Sequence, residues 1–177
     1  MVKWNRLLLI TASIGLLAGC EGAMNENAND TAEEADTTTG ATQVVVNDEE
    51  SLLEGLSSDG AWIVIFEEDI TSEEDLVMVD GFENNDGDTE RKLALYAQDA
   101  DRNVTDTYTL TAPSITLENE GTRLYNGTFV GDVYVEADRF QLVGGTIEGD
   151  LIFSSEEFQE SAELDEGTVT GEIRVEE

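Results

Sequence analysis

Acidic side chains set the limits of what this chain can do chemically. Asp and Glu number 41 against 8 Lys and Arg, no His occurs in 177 residues, and the formal net charge is −33. The densest gathering of hard oxygen ligands is Asp80-Gly81-Phe82-Glu83-Asn84-Asn85-Asp86-Gly87-Asp88-Thr89-Glu90. Asp80, Glu83, Asp86 and Asp88 around glycines are the residue types that a Ca²⁺ site uses. Their spacing departs from an EF-hand loop, because Phe82 falls where the first Asp ligand belongs, and the plain reading is a polar turn. No carboxylate pair for hydrolysis can be singled out, since among 41 acids some pair always lies about 5–10 Å apart. The proton-abstracting base of a lyase would have to be Lys92, Arg123, Arg139 or Arg174. With no His, the commonest general base and most zinc sites are also excluded. The expectation is a protein without catalytic residues, and with no cofactor beyond that calcium loop.

The charge also bounds the partners. Nucleic acid and an anionic membrane surface both need a basic footprint, which this chain lacks. The single Cys excludes an intramolecular disulfide. At this length one domain with a tail is expected.

That Cys lies near the N-terminus. Lys3 and Arg6 precede residues 7–17, LLLITASIGLL, an uncharged run too short to span a bilayer as a helix and laid out like a secretory signal. The run ends in Leu17-Ala18-Gly19-Cys20, which resembles the lipobox of bacterial lipoproteins. The resemblance implies cleavage between Gly19 and Cys20 and a diacylglycerol on the Cys20 thiol. The lipid would tether the protein to the outer face of a bacterial membrane, cell membrane or outer membrane, without a transmembrane span. Loss of residues 1–19 would leave 41 acids against 6 bases, a charge of −35.

Residues 20–43 then read as the lipidated Cys and a tether. Residues 21–43 contain no aromatic residue and no Val, Ile or Leu. They cannot bury enough apolar surface to offset the entropy of ordering, so disorder is expected. The folded domain is placed at 44–177, with 35 acids, 6 bases and a charge of −29. Asn47 followed by Glu50 has the form of a helix N-cap, and Leu52, Leu53 and Leu56 fall on one helical face, which predicts a helix over 48–57. Beyond it only strands are expected, among them 62–66, 76–79, 93–96 and 108–110.

The strongest signal is a repeat. Residues 124–135, 142–153 and 164–175 align without gaps as L-x-x-G-T-φ-x-G-[DE]-φ-x-φ, where φ is apolar. The first glycines are Gly127, Gly145 and Gly167, the second Gly131, Gly149 and Gly171, so the offsets are 18 and 22 residues. A period of this length with short strands predicts stacked coils of a β-solenoid. Alternation points Val133/Val135, Leu151/Phe153 and Ile173/Val175 inward and Tyr134, Ile152 and Arg174 outward. Phe129, Ile147 and Val169 should share an interior column. The second glycines are expected at corners with φ > 0, followed by solvent-facing Asp132, Asp150 and Glu172, a column able to collect cations. Ile115/Leu117 fit one coil earlier, and Leu93/Leu95 lie a further 22 residues back. Tyr134 and Ile152 are expected as an exposed apolar pair.

These copies resemble the short repeats of bactofilins, polymer-forming bacterial proteins that fold as small right-handed β-helices. Residues 52–69, a helix, Gly60, WIVIF and an acidic turn, resemble the N-terminal cap and first coil of pectate-lyase-like β-helices. Together the resemblances imply an all-β, right-handed parallel β-helix of roughly five or six coils with an N-terminal capping helix. Three functions stay open. One is a non-catalytic structural, adhesive or assembly module at the cell envelope, with an acid-rich surface suited to high salt. Another is a carbohydrate-binding or polysaccharide-lyase-like β-helix. The third is a bactofilin-like polymer former that self-associates, against which the acids Glu176 and Glu177 at the terminal coil argue.

Overall fold

The computed structural model describes residues 41–176. They form a mostly β structure whose main sheets are parallel and built of short strands. The first sheet runs β1 (Ala41–Val46), β2 (Ala61–Phe66), β5 (Arg91–Ala94), β9 (Thr122–Tyr125) and β11 (Gln141–Val143) in that order. The second has β8 (Thr109–Leu117) and β10 (Thr128–Val135) at its centre. Beside β8 lie β3 (Ile70–Thr71) and β4 (Leu76–Met78); beside β10 lie β12 (Thr146–Glu148) and β13 (Leu151–Phe153), followed by β14 (Thr168–Val169) and β15 (Ile173–Val175). A separate antiparallel hairpin joins β6 (Tyr96–Gln98) to β7 (Val104–Thr107).

The repeat sets the register. Phe129 pairs with Ile147, which pairs with Val169, while Val133, Leu151 and Ile173 align one column along. Val133 and Val135 also pair with Ile115 and Leu117, as the 18-residue spacing predicts. Phe129, Val133, Leu151 and Phe153 are essentially inaccessible, and each such side chain contributes about 1.5–3 kcal/mol by leaving water. In the first sheet Val64, Leu93, Leu124 and Leu142 line the same core. The helix α1 (Glu49–Leu56) adds Leu52 and Leu56 to it, packing against β1, β2 and β4.

Several expectations need correction. The strand before β8 in its sheet is β4, with Leu76 opposite Ile115 and Met78 opposite Leu117. Leu93 belongs to the other sheet, between Val64 and Leu124. The 80s loop and the β6–β7 hairpin intervene, so equal spacing does not continue upstream. The cap of α1 is Asp48, not Asn47: Asp48 accepts from Ser51 N (2.8 Å), and the Ser51 hydroxyl accepts from the Asp48 N–H (3.2 Å). A second helix, α2 (Glu156–Ser161), was not expected; it takes up the longer, 22-residue offset between the last two copies. Strand pairing begins at Ala41, ahead of the expected start at 44.

The glycines also act differently from the expectation. Of the second set, only Gly131 has positive φ (141°), where it opposes two residues, Ala112 and Pro113, at a bulge. Gly149 and Gly171 are required for space: a Cβ on either would strike the backbone carbonyl of the glycine one copy below. The turns are left-handed at the residues before the first glycines, Asn126 (51°), Gly144 (63°) and Glu166 (56°), and in the first copy also at Gly127 (56°). Ile152 is fully buried, in register between Tyr134 and Arg174, so no exposed pair with Tyr134 exists. Ile173 lies in its expected column yet is 45% exposed, because β15 is the outermost described strand of its sheet.

Candidate functional site

The acidic column is part of the backbone hydrogen-bonding scheme. Asp132 Oδ1 accepts from the backbone N–H of Asp150 (2.9 Å), and Asp150 Oδ1 accepts from the N–H of Glu172 (2.9 Å). One strand earlier, Ser114, in register with Asp132, donates its hydroxyl to Asp75 Oδ1 (2.7 Å). Each carboxylate therefore satisfies a polar group one copy away. Asp132 and Asp150 are half-buried, and only Glu172, at the end, is exposed as expected.

Asp80, Glu83, Asp86 and Asp88 do not converge. Among the described residues no group of three or more Cys, Asp or Glu is placed to hold a metal ion. Asn84 organises the loop instead: its Oδ1 accepts from Asp86 N (2.9 Å) and Asp88 N (3.0 Å), and its Nδ2 donates to Glu90 Oε2 (2.9 Å). Asp80 folds onto its neighbour, accepting from Gly81 N (2.6 Å). Glu90 turns its other oxygen to Arg123 (2.6 Å), fastening the loop to the first sheet.

Arg91, which the sequence did not single out, is the largest fully buried side chain. Among the described residues it has no carboxylate partner. Its Nη2 donates to the carbonyls of Gly55 (2.5 Å) and Ser57 (3.1 Å), its Nη1 to Leu56 (2.8 Å) and Val79 (2.8 Å), and its Nε to Ala61 (3.2 Å). The guanidinium carbon also lies 3.9 Å from the centroid of the Phe82 ring. Three of these carbonyls belong to the C-terminal end of α1, whose last turn has no basic residue of its own. A cation there complements the helix dipole and the carbonyls at its end. Burial pushes the guanidinium down from its usual value to about 10, so it stays protonated near neutral pH.

Of the four candidate bases, the fold brings two together. Lys92 and Arg123 are paired positions of β5 and β9 and face outward. Arg139 lies apart, bonded to Glu120 (2.9 Å) and the Thr89 carbonyl (3.3 Å), and Arg174 sits 3.7 Å from Asp150. Lys92 Nζ donates to the Tyr96 hydroxyl (3.1 Å) and stands 4.0 Å from the Tyr125 ring centroid. The cleft beside it, of about 330 Å³, includes Gln43, Ile63, Ile65, Ala94 and Tyr96 in its lining. Tyr96 and Tyr125 lie 29 residues apart, and only pairing of β5 with β9 reveals that they flank one lysine.

Gly19 and Cys20, and with them the signal segment and most of the tether, lie outside the described residues. Among the described residues no helix is long and apolar enough to cross a membrane. The chain matches no family model, no curated protein and no solved structure. Neither the bactofilin nor the pectate-lyase-like resemblance therefore has support beyond the residues that suggested it.

Proposed function

We propose that the protein is a non-catalytic lipoprotein, anchored through Cys20 to the outer face of a bacterial membrane. It carries a right-handed parallel β-helix of roughly five or six coils as a structural, adhesive or assembly module of the envelope. The observation that carries this reading is the use to which the repeated acids are put. Asp132 and Asp150 hold successive copies together rather than converging on a reactive centre. The in-register pairing of residues 128–135, 146–153 and 168–175 supports the coil arrangement, and Arg91 ties the capping helix to it. The chain's remaining acids give the module a water-holding exterior.

The experiment expresses the full chain in a bacterium supplied with labelled palmitate. Label and membrane association are expected in the wild type and lost together in Cys20→Ala. A Cys20→Ala protein that remains labelled and membrane-bound would remove the anchor from the proposal. Incubating the purified protein with acidic polysaccharides tests the rest. Release of unsaturated product, abolished in Lys92→Met, would replace the module with a lyase.

A further inference from the structure

The outward positions of the first sheet form two rows that cross all five strands. One row is Gln43, Ile63, Lys92, Arg123 and Gln141; the other is Val45, Ile65, Ala94, Tyr125 and Val143. None of these ten positions is acidic, although residues 44–177 carry 35 Asp and Glu. Acids reach these rows only from their margins, Glu90 at Arg123 and Glu67 beside the cleft. The middle of the face is therefore where an anion meets less repulsion than elsewhere on so acidic a molecule.

Within this face the cation least occupied by the protein is Lys92. Arg91 is buried, and Arg123, Arg139 and Arg174 are engaged by Glu90, Glu120 and Asp150. Lys92 is half-buried in the wall of the cleft and makes no ion pair among the described residues. Its ammonium has three donors, of which one goes to Tyr96, leaving two. The Tyr96 hydroxyl accepts that bond and keeps its own proton to donate. Together they present a two-point recognition site for a carboxylate. Below them Ile63, Ile65 and Ala94 supply an apolar wall, and Gln43 adds an amide. The cleft lies at the small end of ligand pockets, and Glu67 is the only acid in its lining.

We propose that this cleft binds a small monocarboxylate. The carboxylate meets Lys92 Nζ and the Tyr96 hydroxyl, and its carbon body lies against Ile63 and Ile65. One ammonium without an ion partner among the described residues matches one negative charge; Arg123 beside it is already held by Glu90, so a second charge has no cation to meet. The body can be apolar or hydroxylated, and the two are separable by experiment.

Calorimetric titration of the full chain in detergent, at low ionic strength, uses cyclohexanecarboxylate and glucuronate. Cyclohexanol and glucose serve as the neutral counterparts. At least one acid is expected to bind, its neutral counterpart about tenfold or more weakly, as loss of a charge-assisted hydrogen bond requires. Lys92→Met should weaken the acid by a similar factor, and Lys92→Arg should retain most of the affinity. Tyr96→Phe, which removes only a hydroxyl, should weaken binding several-fold and serves if Lys92→Met does not fold. Whichever acid binds more tightly tells whether the body is apolar or hydroxylated. Binding of neither acid, equal binding of acid and neutral compound, or unchanged affinity in both variants would overturn the proposal. None of these outcomes bears on the lipid anchor.

Discussion

Asp132 and Asp150 stand 18 residues apart in the chain and are joined by one hydrogen bond of 2.9 Å, from the backbone N–H of Asp150 to Oδ1 of Asp132. The next copy repeats the bond between Asp150 and Glu172. A side chain that looks like a solvated surface acid is thus the acceptor that closes one copy onto the next.

Replacing Asp150 by Ala removes an acceptor for Glu172 N and the ionic neighbour of Arg174. The Glu172 N–H is near water and can be resolvated, so the loss should be about 1 kcal/mol. Asp150→Asn keeps a carbonyl acceptor and should lose less. Urea unfolding of the three proteins checks the order, and equal midpoints for all three would show that the bond contributes nothing.

Arg91 should be far more costly to change. Arg91→Met removes a donor from five carbonyls. Leu56 O keeps the Val79 N–H and Ser57 O the Gly60 N–H. The buried Gly55 carbonyl loses its partner and a large buried space is left, and an unsatisfied buried group alone costs about 1–3 kcal/mol. The expected loss exceeds about 3 kcal/mol or abolishes folding. Arg91→Lys keeps the charge but has three donors and no planar fork, so it should recover only part of the stability. Thermal unfolding, read by circular dichroism, distinguishes the two.

Gly149→Ala isolates the steric role of the second glycine. The φ at Gly149 is not in the left-handed region, yet an added Cβ would collide with the Gly131 carbonyl. Overpacking against backbone should cost about 1–3 kcal/mol or more. Gly87→Ala is the control: φ is 84°, but nothing lies within 4 Å of the added Cβ, so only the backbone term of about 1 kcal/mol remains. Denaturant midpoints that fell equally would mean that space is not the reason for glycine at 149.

Asp48 supplies a pH dependence of known sign. Hydrogen bonds from the Ser51 side chain and backbone hold its carboxyl below the ordinary 3.8. A depressed carboxylate contributes stability that is fully present above 3.8 and is lost as pH falls through the lowered value. Asp48→Ala should therefore be less stable than the wild type at pH 6, and the gap should close on acidification below pH 4. A gap that stayed constant from pH 6 to pH 2 would assign the effect to something other than the charged cap.

The charge of −29 on residues 44–177 predicts that stability rises with salt. Repulsion among exposed acids is screened beyond about 10 Å at 0.1 M and about 3 Å at 1 M. The melting temperature should climb between millimolar and molar NaCl. Flat or falling melting temperatures would separate the composition from any adaptation to concentrated salt.

The sequence alone determined the repeat, its 18- and 22-residue offsets and the apolar column Phe129–Ile147–Val169, and it placed α1 to within a residue at either end. These follow from local rules: period-2 alternation and a shared length put equivalent side chains in register wherever copies stack. What only the tertiary structure decided depends on which strand lies beside which. It turned Arg91 inward onto α1 and its neighbour Lys92 outward between Tyr96 and Tyr125. It put β4 rather than β5 beside β8, because the loop and hairpin between them break the spacing. It buried Ile152, and it made acceptors of Asp132 and Asp150. Each of these depends on a partner that is distant in the chain, and no residue type announces its partner.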